Sequence, residues 1–248
     1  MAKKISITLR KGGSGKTTTA VNLAAALHRE SKRVLLVDLD PQANATMAVG
    51  IDPLAQNRHI VTLFTDASTN PVSVILQTAQ GLRVLPGHPE LAKVEASMGP
   101  SQIDVLKGIL EPLEELYDYI VVDTPPSESP LTINALAAAN SAVIPLQAHF
   151  LALQGLSQAF AQIESVRAAY NPTLKVDGIL PTMVNPRTRI SQLVLEQVRQ
   201  RYPELALPFG VDYSVKHSEA TLAGIPIVFY DQFHPGSQAY IQLANVVL

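Results

Sequence analysis

Cysteine and tryptophan are absent from the 248-residue chain, and aromatic residues make up only 5% of it. Without cysteine there is no disulfide, no thiolate zinc site, no cysteine nucleophile and no cysteine-bound iron–sulfur cluster. Charge is also scarce, at 16% of residues, against 47% hydrophobic; an average soluble domain carries about 25% charge. Such a chain is not a charge-rich disordered segment. Its length suits one large domain with a substantial core, and residues 1–248 are read as a single domain. The net charge of −2 does not mark a nucleic-acid binder, although a basic face on one side remains open. No apolar run approaches the roughly 20 residues of a membrane span. Met1-Ala2-Lys3-Lys4-Ile5 leads into an alternating pattern rather than the apolar stretch of a leader. These absences predict a cytoplasmic protein. His28, His59, His88, His149, His217 and His234 show no metal-ligand spacing and are read as structural or exposed.

What is present is a strand–helix grammar. Ile5-Ser6-Ile7-Thr8-Leu9 alternates as a strand does, and Ala20, Leu23, Ala24 and Leu27 fall on one helical face. Val34–Val37 is a short continuous apolar run, the pattern of a strand buried on both faces of a parallel sheet. The same pattern recurs at Leu82–Leu85, Tyr119–Val122, Ala142–Leu146, Val176–Leu180 and Ile225–Phe229, with helical periodicity over 101–116, 151–169 and 188–201. Alternation of this kind predicts an α/β fold, a doubly wound, mostly parallel sheet with helices on both faces. The stretch from Asp40 to Asn70 is the least periodic and is expected to hold a long functional loop.

Between the first strand and the first helix stands Lys11-Gly12-Gly13-Ser14-Gly15-Lys16-Thr17. Phosphate binding needs several backbone N–H groups converging on one point; glycines allow the curl and the helix adds its positive end. In that reading Lys16 reaches the β- and γ-phosphates, the Thr17 hydroxyl ligates Mg²⁺ and Thr18 donates to the α-phosphate. The common motif has glycine four residues before Ser14, where Arg10 stands; a glycine-rich turn with a chance Lys-Thr is the plainer alternative. Two strand ends add carboxylates. Tyr119–Asp123 is an apolar strand ending in an acid suited to the Mg²⁺ water shell, and Asp38 and Asp40 share one side of a strand end by their period-two spacing. The alternative for the second pair is that one of them caps the next turn.

Together these segments resemble the ParA/MinD family of deviant Walker A ATPases over nearly the whole chain. Lys11–Thr19 is similar to its phosphate loop, Val37–Thr46 to its first switch, and Asp123-Thr124-Pro125-Pro126 to its Mg²⁺ strand and second switch. Asn134–Ala139 and Phe150–Leu156 resemble the ParA branch. The resemblance implies an ATP-sandwich homodimer in which Lys11 is a signature lysine reaching the partner's nucleotide. Asp40 then positions the attacking water, and Asp38 orders the Mg²⁺ shell. Asn185 and the loop at Asp212 are expected at the adenine; the family often has proline and asparagine where this chain has Asp212 and Ser214.

ParA relatives bind DNA without sequence preference through basic residues late in the chain. Here Arg187, Arg189, Arg199 and Lys216 occupy that region, whereas residues 90–128 hold nine acids and two lysines. In 188–201 the expected buried stripe is Ile190, Leu193, Val194 and Val198. A solvated helix face is the bland alternative, but dimerisation doubles the patch and phosphate contacts release counterions together. The resemblance thus implies a nucleoid-associated positioning ATPase stimulated by a partner of the ParB kind, with a plasmid, chromosome or carboxysome as cargo. A MinD-like membrane role is the rival. It calls for a basic amphipathic C-terminal helix, and Gly236–Leu248 contains neither lysine nor arginine, so this segment is expected to pack on the domain. A metabolic enzyme of the same fold is the second rival; its cysteine-dependent forms are excluded.

Overall fold

The computed structural model describes residues 1–99, 102–149 and 151–248. Seven strands, β1 (Lys3–Ile7), β2 (Val34–Asp38), β3 (Leu76–Gln77), β4 (Arg83–Leu85), β5 (Tyr119–Asp123), β6 (Ser141–Gln147) and β7 (Lys175–Thr182), form one sheet in the order β3-β4-β2-β5-β1-β6-β7. All neighbouring pairs run parallel except β3 with β4. The helices are α1 (Lys16–Arg29), α2 (Asn44–Ala48), α3 (Ile60–Thr65), α4 (Leu91–Ser97), α5 (Val105–Leu110), α6 (Pro130–Ala138), α7 (Ala152–Ala169), α8 (Arg189–Arg201), α9 (Lys216–Leu222), α10 (Ile227–Tyr230) and α11 (Pro235–Val247).

Period two decides which layer each strand residue serves. Val34 and Leu36 of β2, with Tyr119 and Val121 of β5, enter a core shared with α1, α2 and α11. Leu35, Val37, Ile120 and Val122 enter the opposite core, shared with α3, α5 and α6. A third core joins β6 and β7 to α7 and α8. Both faces are covered, as the continuous apolar runs require. Truncating a fully buried residue such as Leu36 to alanine costs about 2–5 kcal/mol.

The sheet's two edges are treated differently. At one, β3 pairs only Leu76 and Gln77 with β4. At the other, the segment after α8 lies along β7: Ile179 N–H donates to the Leu205 carbonyl at 2.7 Å, Leu207 N–H to Ile179 at 3.1 Å, and Val211 N–H to Pro181 at 2.8 Å.

Several elements depart from expectation. The first strand ends at Ile7, not Leu9, because its register is set by β5, although Thr8 N–H still donates to the Val143 carbonyl. Ile225–Phe229 is not a strand. Gly224 takes φ +66°, Pro226 offers no N–H to a ladder, and the apolar run folds as the single turn α10 against α1. The helix expected over 101–116 is only α5 followed by a 3₁₀ turn at Glu111–Leu113, where Pro112 ends the regular hydrogen bonding; Ser101 lies outside the described residues, as does Phe150. The least periodic stretch folds into α2, a 3₁₀ turn at Pro53–Ala55 and α3 rather than one long loop. On α8 the buried face is Ser191, Val194 and Val198; Ile190 and Leu193 are exposed. The α8 face therefore carries apolar as well as basic side chains to the surface. The C-terminal α11 packs on α1, burying Tyr240, Leu243, Ala244 and Val247. No helix among the described residues is long and apolar enough to cross a membrane.

Candidate functional site

The carboxyl ends of β1, β5 and β2 bring the sequence-designated residues together. β1 delivers the glycine loop, in which Gly13 (φ +70°) and Gly15 (φ +87°) adopt the left-handed conformation that side chains resist. Gly15 is the N-cap of α1, so Lys16 and Thr17 begin the helix and their N–H groups lie at its positive end. The loop is braced from β7: the Thr182 hydroxyl donates to the Ser14 carbonyl at 2.8 Å. The next residue, Met183, sits at φ +51°, a strained position worth about 1–2 kcal/mol. Its neighbour Val184 donates to the Val211 carbonyl at 3.0 Å, which holds the turn in place.

Asp38 and Asp123 are Cα partners across the β2–β5 ladder, and both are fully buried. Asp38 is well supplied with donors: Thr46 N–H at 2.8 Å, the Thr46 hydroxyl at 2.7 Å and Asp40 N–H at 3.2 Å. The Thr46 oxygen in turn accepts from Gly87 N–H at 2.9 Å. Burial raises the Asp38 carboxyl to about 6 against the pull of these donors. Among the described residues, neither oxygen of Asp123 has a hydrogen-bond partner. Burial and the neighbouring Asp38 push its carboxyl well above the usual range, opposed by the Thr17 side chain and Lys16. Two unmet, buried acceptors beside a hydroxyl and a second carboxylate are a donor set of hard oxygens, which fits a hydrated Mg²⁺. Asp40 is buried too; its Oδ1 accepts from Gln42 N–H at 2.9 Å, so it also shapes the turn into α2.

Lys16 is buried, and its ammonium donates to the Lys11 carbonyl at 3.3 Å, curling the loop around it. Burial lowers its pKa, with Asp123 and Asp40 opposing. Lys11 is only partly buried and donates to Gln147 Oε1, at the end of β6, at 3.3 Å. Arg10, standing where the common motif has glycine, pairs with Glu128 at 2.8 Å and so ties the loop to the segment after β5.

Beside the loop a cavity of about 440 Å³ is walled by Gly15, Thr18, Met183, Asp212, Ser214 and His217 among others. Asp212, expected at the adenine, is among the residues lining this cavity. Asn185 does not line this cavity: it is exposed, and its side-chain oxygen accepts from Arg187 N–H at 3.1 Å, capping the turn into α8. Arg187, Arg189 and Arg199 are exposed; Lys216 is partly exposed, paired with Glu219 at 2.6 Å and set over the Tyr230 ring at 6.0 Å. Thr182, Met183, Gly87 and His217 were not singled out from the sequence. Each acts through a tertiary contact that carries no local signal.

A buried lysine at a glycine-loop helix start, opposed by strand-end carboxylates and flanked by a cavity, defines a phosphate-loop nucleotide-binding protein. The comparisons narrow this. A family described as "AAA domain" matches residues 2–176. The sporulation initiation inhibitor protein Soj of Bacillus subtilis is 40% identical over 249 residues, covering 100% of this chain and 98% of that protein. The chromosome-partitioning ATPase Soj of Thermus thermophilus is 40% identical over 248 residues, covering 99% and 95%. A solved structure named as a cobyrinic acid a,c-diamide synthase from Mycobacterium smegmatis, with bound ADP and magnesium, superposes with a TM-score of 0.85 at 33% identity, covering 99% of this chain and 93% of the other. The chain belongs to the ParA branch of the ParA/MinD family of phosphate-loop ATPases.

Proposed function

We propose that this chain is a ParA-type partition ATPase that binds ATP with Mg²⁺, closes as an ATP-sandwich homodimer, binds DNA without sequence preference and moves a cargo over the nucleoid, its hydrolysis stimulated by a partner protein. The observation that carries the reading is the pair of lysines on one loop. Lys16 is buried among carboxylates, while Lys11, on the same loop, is only partly covered. One lysine suffices for a single nucleotide; the second suits phosphate charge brought up by another subunit.

The N–H groups of Gly12 to Thr18 and the Lys16 ammonium receive the phosphates, and the Thr17 hydroxyl, with Asp38 and Asp123 ordering the surrounding waters, holds Mg²⁺. A Mg²⁺ ion held there would supply the charge neutralisation that phosphoryl transfer needs. Asp40 orients the attacking water. The 440 Å³ cavity receives the adenine, with Asp212 at its edge. Arg187, Arg189, Arg199 and Lys216 meet DNA phosphates, and two copies of this face in a dimer make binding steeply salt-dependent. The relatives named for chromosome partitioning match along the whole chain and favour this reading over the metabolic one, although a synthase shares the fold. A plasmid, a chromosome or a carboxysome is the cargo class. The packing of α11 into the core, with no basic residue in its last turn, favours the nucleoid over a membrane surface.

The test is sedimentation velocity with and without Mg²⁺·ATP, followed by DNA binding in low salt. Dimers with ATP, single chains with ADP and ATP-dependent DNA binding are expected. Single chains at saturating Mg²⁺·ATP would overturn the proposal. Full DNA affinity in the Arg187→Ala/Arg189→Ala/Lys216→Ala variant would overturn the DNA face alone.

A further inference from the structure

His59 and His88 are distant in sequence and carry no ligand spacing, yet the fold stacks their rings with centroids 3.9 Å apart and planes 4° from parallel. His59 precedes α3, while His88 and Glu90 lie between β4 and α4. Ile60 N–H, donating to the Pro86 carbonyl at 2.9 Å, pins the two segments together. One donor atom from each of His59, His88 and Glu90 falls within 4.8 Å of the other two. Ligands bonded at about 2.0–2.2 Å to a tetrahedral ion stand about 3.4 Å apart, so closure asks for movements on the order of an ångström. Nδ1 of His59 is buried with no hydrogen-bond partner among the described residues, an unmet polar atom of the kind that a bound species satisfies.

We propose that His59, His88 and Glu90 form a site for a divalent transition ion of the zinc class, distinct from the nucleotide site. The donors decide the class: two imidazoles and one carboxylate suit Zn²⁺, Co²⁺ or Ni²⁺, whereas Mg²⁺ prefers oxygen alone. An ion lies in the plane of each imidazole it binds, so two stacked rings cannot both face it. His88 therefore turns out of the stack about its Cβ–Cγ bond and gives up the 3.2 Å hydrogen bond that its Nδ1 accepts from Glu90 N–H. Glu90 leaves Lys93, a surface pair at 3.0 Å whose loss is small. The bound ion then clamps α3 to the turn after β4. That turn contains Gly87, whose N–H supports Thr46 and through it Asp38. The site is thus linked to Thr46 and Asp38 through the neighbouring Gly87.

The test uses the whole nucleotide-free chain in excess Mg²⁺, titrated with Co²⁺ and followed by its visible absorption. One equivalent of Co²⁺ is expected to bind with a tetrahedral-type spectrum that Zn²⁺ abolishes. His88→Ala and His59→Ala are each expected to weaken binding about a hundredfold, and Glu90→Gln by less. In the wild-type protein, histidine modification read by mass spectrometry is expected to show Zn²⁺ protection confined to His59 and His88. That measurement stands even if a variant fails to fold. Absence of a spectrum, an unchanged affinity in folded His88→Ala, or protection at other histidines instead would overturn the proposal. None of these outcomes bears on nucleotide binding, so the two readings fail separately.

Discussion

Lys11 spends its ammonium on Gln147 of its own chain, at 3.3 Å, across the gap between the phosphate loop and the end of β6. In the proposed sandwich dimer this contact would have to break before Lys11 could reach a second subunit. Replacing Gln147 by alanine removes a competitor worth about 0.5–1.5 kcal/mol. Each symmetric dimer releases two such contacts, so the Gln147→Ala chain is expected to dimerise with Mg²⁺·ATP about five- to a hundredfold more tightly, measured by sedimentation equilibrium. Lys11→Ala is expected to bind the nucleotide as a single chain but not to dimerise. Equal association constants for wild type and Gln147→Ala would remove this role.

Lys16 is the ammonium that burial disfavours and Asp123 and Asp40 sustain. A charge-assisted contact to phosphate is worth about 1.5–3 kcal/mol, so Lys16→Ala is expected to weaken Mg²⁺·ATP binding about ten- to a hundredfold by calorimetry. Its melting temperature is expected to change far less, because the lost ion pairing and the relieved burial of charge oppose each other. A large drop in stability with nucleotide affinity intact would reverse this assignment.

Gly87 has an ordinary backbone conformation but no room. A Cβ there would sit 2.8 Å from the Asp38 Cγ and 3.1 Å from its main-chain oxygen. Gly87→Ala is expected to cost about 1–3 kcal/mol in urea unfolding and to slow ATP hydrolysis by displacing Asp38. Gly13→Ala, by contrast, meets no atom within 4 Å, and its penalty comes from φ +70° alone.

His217 packs over Gly236 and edge-on to Tyr240, its two nitrogens buried without partners among the described residues. Burial, then the neighbouring His234, push its pKa down from 6.5 to about 4. Below pH 6.5 the unfolded chain takes up a proton that the fold refuses, so the stabilisation from this ring is complete above about 6.5 and is lost as pH falls towards about 4. Urea midpoints of the wild type are expected to fall more steeply over that interval than those of His217→Leu. Parallel profiles for the two proteins would show that the ring titrates normally.

The parts legible in the sequence were those with a local rule behind them. The continuous apolar runs at Val34–Val37 and Tyr119–Val122 marked strands buried on both faces, and the glycines before Lys16 marked the loop. The Ile225–Phe229 run misled because four apolar residues suit a strand or a helical turn equally, and Pro226 decides between them. Ile190 and Leu193 carry the right periodicity for burial, but the neighbouring elements cover only the Ser191, Val194 and Val198 side of α8. Thr182, reaching Ser14 from β7, and the stacking of His59 on His88 exist only once distant strands are placed side by side. No spacing rule spans such distances.

The two margins of the sheet bear on how the molecule behaves in a crowd. An open strand margin invites another chain to add itself, and a protein gathered densely on one polymer would face that hazard at every contact. Here the outermost β3 offers just Leu76 and Gln77, and β7 is already occupied by Leu205–Val211. Among the described residues, neither margin leaves a long free strand for a neighbouring chain to extend.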